Sequence, residues 1–206
     1  MKKISIFKRN STKSFIISDG ETTIEKKAFY KCHELEDVVI PESVTSIGDS
    51  AFEECFSLTN ITIPKSVTSI SKNAFYGCAN LENVTIPDSV TSIGREAFAG
   101  CFSLKRITIP ESVTTMGFGV FFGCKSLTDV TIGNGVTSIG ECAFFSCSSL
   151  TSITIPDSVT SIGREAFLIC SSLTDVYYKG SQEQWDYISI GTGNDSLLNA
   201  TIHYNC

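Results

Sequence analysis

The chain is short of charge, of histidine and of long apolar runs, and each shortage closes a class of function. Charged residues make up 18% of its 206 residues, against a usual figure of about a quarter. Acids outnumber bases 22 to 16, leaving a net charge of −6. A general nucleic-acid binder needs a basic surface to displace counterions from phosphates, so nucleic acid is excluded as the default partner. No apolar run approaches the ~20 residues that a membrane-spanning helix requires, so no membrane insertion is expected. The opening Met1-Lys2-Lys3-Ile4-Ser5-Ile6-Phe7-Lys8-Arg9-Asn10 regains charge too soon to read as a signal peptide. The two histidines, His33 and His203, have no third partner that can be argued for either. A nucleophile, base and orienter cannot be assembled from them, so no catalytic residue and no cofactor is assigned.

Cysteine is the exception to this scarcity, with nine residues. Seven of them, at 32, 55, 78, 101, 124, 147 and 170, each follow the last by 23 residues. A period of that size marks a repeat architecture and displaces the expectation of one globular domain. Aligned on these cysteines, Phe29, Phe52, Phe75, Phe98, Phe121, Phe144 and Phe167 stand three residues before, and Leu35, Leu58, Leu81, Leu104, Leu127, Leu150 and Leu173 three residues after. β-Branched pairs such as Ile61/Ile63, Val84/Ile86 and Ile107/Ile109 follow at six and eight residues, so this stretch reads as a half-buried strand. All five prolines, at 41, 64, 87, 110 and 156, come next. Proline cannot donate to a sheet ladder and so ends the strand. The S-V-T-S-I segment is then expected to be extended, Gly48, Gly94, Gly117, Gly140 and Gly163 to mark a corner, and A-F-x-x-C to form a short helical turn with Phe and Cys on one face.

The ends depart from the pattern. A degenerate repeat begins near residue 14, with Phe15, Ile17 and Ile24 one period before Val38, Ile40 and Ile47. After Tyr178 the period dissolves, and Ser181-Gln182-Glu183-Gln184 has capping-box form just before Trp185, the only tryptophan. The division expected is a repeat array over 1–180, with its degenerate repeat near 14–31 and seven cysteine-anchored repeats from 32, followed by a C-terminal cap over 181–206 whose last strand spans 200–204. Gly191-Thr192-Gly193-Asn194-Asp195 reads as a loop before a final helical turn rather than as a calcium turn, since it occurs once.

Seven cysteines in register invite a disulfide or metal reading. Stacked parallel coils would hold neighbouring Cβ atoms about as far apart as the strands, ~4.8 Å, beyond the ~3.8 Å that a disulfide prefers. A tetrahedral metal needs ligands converging on a point, whereas this column runs along a line. The seven are therefore read as buried, small apolar residues, and no metal site is assigned. Cys142 shares a slot with Ser50, Asn73, Glu96 and Glu165, and is expected to be exposed and free, as is the terminal Cys206.

The unit Leu81 to Cys101, L-E-N-V-T-I-P-D-S-V-T-S-I-G-R-E-A-F-A-G-C, resembles the BspA-like, or Treponema pallidum-type, leucine-rich repeat over roughly residues 15 to 180. The asparagine that many leucine-rich repeats carry after the strand is here Ser43, Ser66, Ser89, Ser112 and Ser158, with Gly135 once. The resemblance implies an α/β repeat solenoid: a right-handed superhelix with a parallel β-sheet on its concave face, short helical turns elsewhere and a C-terminal cap. It further implies a noncatalytic protein-recognition scaffold, a bacterial or protist surface protein adhering to host or extracellular-matrix proteins. The alternative is a cytosolic interaction or effector module, which the thiols and the lack of an export signal suit better.

A partner would meet the residues between the apolar ones on each strand. The first such lane holds Asp37, Asn60, Asn83, Arg106, Asp129, Ser152 and Asp175, and the second Val39, Thr62, Thr85, Thr108, Thr131, Thr154 and Tyr177; the candidate contacts are all of these except Ser152, Val39 and Thr154. Threonine there also suits a strand surface for purely structural reasons. A second candidate surface comprises Tyr30, Tyr76, Phe122 and Phe145, two residues before Cys, with Phe56 and Phe102 one after it. These rings would either pack on neighbouring turns or form an exposed patch.

Overall fold

In a computed structural model, which describes residues 12–206, the chain winds into a solenoid of parallel strands. The leader reading of residues 1–10 lies outside the described residues. Each coil contributes one longer and one shorter strand. The longer strands are Ser14–Ile16, Asp37–Val39, Asn60–Thr62, Asn83–Thr85, Arg106–Ile109, Asp129–Ile132, Ser152–Ile155, Asp175–Tyr178 and Thr201–Tyr204. The shorter ones are two-residue pairs such as Ser46–Ile47, Ser69–Ile70 and Ser92–Ile93. Register follows the sequence period: Asp129 pairs with Arg106 and with Ser152, and Ser69 with Ser46 and Ser92. The long ladder is interrupted between Val39 and Asn60 and again between Thr85 and Arg106, so it comprises three sheets.

The interior is a set of columns, one for each fixed apolar position. The phenylalanine rings from Phe29 to Phe167 stack face to face with centroids 5.0 to 5.6 Å apart. At the first described coil Phe15 turns its ring edge-on to Phe29, 69° from parallel. The Leu and Val columns are equally buried. Serine in the asparagine position has a specific role: Ser89, Ser112 and Ser158 donate their hydroxyls to Val67, Val90 and Val136 carbonyls of the preceding coil, at 2.6 to 2.7 Å. Gly135 takes this slot where the coil backbones approach so closely that a Cβ would lie 2.6 Å from Val113 O.

The A-F-x-x-C segments are not helical, which corrects the expected short helical turns and with them the α/β label for the array. Helices among the described residues are confined to α1 (Gln182–Asp186) and α2 (Asp195–Leu198). In the array each segment is a run of tight turns in which alternate amides leave the coil. Lys27, Phe29 and Lys31 N–H groups donate to Asp49, Ala51 and Glu53 carbonyls of the next coil, while Ala28, Tyr30 and Cys32 close turns within their own. A helix would satisfy those amides internally and leave this side held by side chains alone. The alternation requires left-handed backbone at two positions per coil, seen at Ser50, Asn73, Glu96 and Cys142 in one lane and at Lys31, Glu54, Gly77 and Gly100 in the other.

The cysteine column supplies a second tie between coils. Each thiol from Cys55 to Cys170 on the ladder lies 3.1 to 3.3 Å from the carbonyl of the phenylalanine 26 residues earlier and donates to it. That oxygen already accepts a turn amide, as Phe52 O does from Cys55 N, so the thiol fills its second lone pair. Burial pushes the thiols of Cys78, Cys124 and Cys170 up to about 12, and those of Cys55, Cys101 and Cys147 up as well. All nine cysteines are thiols rather than disulfides. Cys142 is buried, not exposed as expected. Its left-handed backbone (φ 56°) places the sulfur 3.9 Å from the carboxylate of Glu165 on the next coil, and burial followed by that charge raises its pKa. Cys206 is exposed.

The last segment continues both ladders with longer loops. Ile190 pairs with Ile162 and Ile202 with Val176, offsets of 28 and 26 residues instead of 23. The Ser181/Gln184 capping box forms in both directions, and Trp185 is buried edge-on to Tyr178 at 5.2 Å. Asn194, 1% exposed, stands in for a missing coil. Its Oδ1 accepts from Phe167 N–H at 3.0 Å, the role Ala166 O plays for Phe144, while Nδ2 donates to Gly163 O and Gly191 O at 2.9 and 2.7 Å. The segment flagged as a faint calcium turn is thus a structural plug.

Two outcomes are expected. Asn194→Ala strips partners from three backbone groups and should cost about 3 kcal/mol in urea unfolding; a loss under ~0.5 kcal/mol would place it among neutral surface changes. Because the ladder thiols have folded pKa values above their unfolded ones, they ionise more readily in the unfolded chain. Stability is therefore full below about pH 9 and falls above it, by up to ~1.4 kcal/mol per pH unit for each thiol. Urea titrations from pH 7 to 11 check this, and Cys→Ala on two central coils should flatten the slope.

Candidate functional site

Alternation along the long strands turns every second side chain outward. Asp37, Asn60, Asn83, Arg106, Asp129 and Asp175 form one outward column, and Thr62, Thr85, Thr108, Thr131 and Tyr177 the next, so the sequence-predicted residues share one face. They differ in how far they are engaged. Asn83 Nδ2 donates to Asn60 Oδ1 at 3.4 Å, and Ser152 lies 3.5 Å from Asp129. Arg106 sits in register with Asp129, yet makes no ion pair within 4 Å with any described residue, so its guanidinium is available.

The threonine column is flanked by apolar side chains at one end, where Ile16 and Val39 pair in register and are 72% and 49% exposed. At the other end stands His203, which sequence spacing missed, beside the predicted Tyr177 and Asp175. Tyr177 stacks on His203 at 4.8 Å, and His203 Nε2 lies 2.7 Å from Asp175 Oδ1. That contact, with the hydroxyl of Thr174 on the other oxygen, holds the Asp175 carboxyl below its usual value. Only an alignment of T-I-H-Y on D-V-Y-Y, allowing for three inserted residues, brings His203 into the lane of Tyr177.

The turn side carries the aromatic candidates, and they divide. Phe122 stacks on Phe145 at 4.7 Å and His33 on Phe56 at 4.6 Å, while Phe56, Tyr76, Phe102 and Phe122 remain 38 to 47% exposed. They therefore pack on neighbouring turns and also present a patch. Elsewhere the chemistry is spare. Among the described residues no group of three His, Cys, Asp or Glu gathers to hold a metal ion, and no helix is long and apolar enough to cross a membrane. The ladder thiols, with their raised pKa values, lack the thiolate character of nucleophiles.

A model of the BspA type leucine rich repeat region matches the chain in six copies, over residues 3–124 and 91–189. A leucine-rich repeat protein of T. pallidum superposes with a TM-score of 0.74 at 30% identity, over 79% of this chain and 78% of that one. A leucine-rich repeat protein of Bacteroides ovatus gives 0.67 at 27%, over 93% of this chain and 63% of the other. A leucine rich cell surface protein of Faecalibacterium prausnitzii gives 0.55 at 29%, over 85% and 62%. The chain thus spans less than two thirds of the length of the last two. No curated protein matches.

Proposed function

Because the chain belongs to the BspA-type leucine-rich repeat family, we propose that it is a noncatalytic scaffold that binds a protein partner on the outward face of its long strands. On this reading that face is concave, and 181–206 acts as the cap that closes the array. One observation carries the assignment: a threonine column runs beside a column that varies from coil to coil and includes the Arg106 guanidinium, which makes no ion pair with any described residue. Uniform residues serve strand pairing, whereas variation along a rigid frame is what selects a partner. Tyr177, His203 and Asp175 extend the face to the last coil, and tyrosine is a favoured anchor in such contacts.

The finer reading is a cell-surface adhesion protein for host or matrix proteins, in keeping with the cell-surface description of the F. prausnitzii relative. A cytosolic interaction module is the second reading. The nine unbridged thiols favour it, since they suit a reducing compartment.

The test is charge reversal with immobilised matrix proteins and recombinant cytosolic candidates as probes. Arg106→Glu with Asp129→Lys should weaken a bound partner on the order of tenfold or more, a change above 1.4 kcal/mol, with circular dichroism unchanged. A partner whose affinity is untouched by both would remove the strand face as the site.

A further inference from the structure

The coil of Cys124 departs from the turn that follows the long strand elsewhere in the array. Five coils carry Pro-x-Ser there, at 41–43, 64–66, 87–89, 110–112 and 156–158, whereas this one carries Gly133-Asn134-Gly135. The change removes two restraints. Proline fixes its own φ, and glycine at 133 does not. Serine ties the turn to the preceding coil, as Ser112 does through its hydroxyl to Val90 O at 2.7 Å, and Gly135 has no hydroxyl to offer Val113 O. The turn itself is closed by Val136 N–H on Gly133 O at 3.2 Å.

Asn134 is exposed on this turn, and the Gly135 N–H donates to no described residue. The two form the only Asn-Gly pair in the sequence. After every other asparagine the next residue has a side chain that crowds its amide nitrogen. Glycine leaves that nitrogen open and its backbone free to turn. Lys179 reaches back two coils to place Nζ 3.4 Å from Asn134 Oδ1. An ammonium there draws electron density from Cγ, the atom that a nucleophile attacks.

We propose that Asn134 is a self-modifying site, at which the Gly135 amide nitrogen converts the side-chain amide to a carboxylate through a cyclic imide. The nitrogen gives its proton to hydroxide and bonds to Asn134 Cγ. The bond from Cγ to Nδ2 breaks, and ammonia leaves with a proton from water. Water then adds to either imide carbonyl and breaks its bond to the ring nitrogen, so the sum is one water consumed and one ammonia released. One product is aspartate in the original main chain. The other routes the main chain through Cγ and is one carbon longer.

The first product fits the coil, because Asp88 and Asp157 already occupy this slot. Its carboxylate stands where Lys179 pairs with it, and one added negative charge takes the net charge from −6 to −7. The second adds an atom to a coil whose hydrogen bonds demand a fixed length, and so opens the turn between Gly133 and Val136. The change lies shortly after Thr131, at the edge of the strand face, which thereby exists in two charge forms.

The full chain, held folded in reducing buffer at 37 °C for weeks at pH 6 and at pH 8.5, tests this by peptide mapping and mass spectrometry. The peptide holding Asn134 should gain about 1 Da as the amide becomes an acid. The gain should be at least about tenfold faster at pH 8.5, since the attacking nitrogen must first lose its proton. A methyltransferase specific for β-aspartyl linkages should label that peptide, and Asn60, Asn83, Asn194 and Asn199 should stay amides. Asn134→Gln, whose imide ring would have six members, should abolish the gain with circular dichroism unchanged. A folded chain in which Asn134 remains an amide at pH 8.5 overturns the proposal, as does conversion of another asparagine ahead of it.

Discussion

Each coil can satisfy only part of its own backbone, and the rest of the structure depends on that shortfall. Five turns per coil consume some amides internally, as Ala51 does on Gly48, Glu53 on Ser50, Cys55 on Phe52, Leu58 on Cys55 and Val67 on Pro64. The others point along the solenoid axis and find carbonyls only if the neighbouring coil has the same length and the same shape. An unpaired buried amide is costly enough that the 23-residue period is enforced by hydrogen bonding as much as by packing. The side chains obey the same rule: Ser hydroxyls and Cys thiols each reach a carbonyl of the preceding coil.

That constraint explains which features were legible in the sequence. The period, the buried columns, the strand position and the Ser181 capping box could all be read, because each depends on a residue type recurring at one spacing. The backbone of the A-F-x-x-C segments could not. Its left-handed positions hold Lys27, Ser50, Asn73, Glu96 and Cys142 in one lane, a set with no shared chemistry, since what fixes the conformation is the carbonyl of the next coil. The same effect hid the burial of Cys142, whose thiol lies against Glu165 of a neighbouring coil. Asn194 escaped because its function is to imitate backbone, and His203 because the longer loops of the last segment shift it out of period.

With the interior committed to repetition, function is left to the side chains that do not repeat. On the strand face these are the charged and amide residues around Arg106 and the Tyr177–His203 pair. On the turn side they are the rings flanking the lane of Gly77 and Gly100. The two faces differ in chemistry: one is polar and varies from coil to coil, the other carries the partly exposed rings of Phe56, Tyr76, Phe102 and Phe122. Among the described residues, no group of three His, Cys, Asp or Glu gathers to hold a metal ion on either face.

The central claim is that one continuous column of buried thiols, hydrogen-bonded from Cys55 onward, marks a single stacked core from Cys32 to Cys170. Thiol titration of the native protein, and then of the protein in denaturant, tests it most directly. The account predicts one reactive thiol, Cys206, in the native state and eight more on unfolding. Several thiols reacting in the native protein, or thiols that stay unreactive after unfolding until a reductant is added, would contradict it.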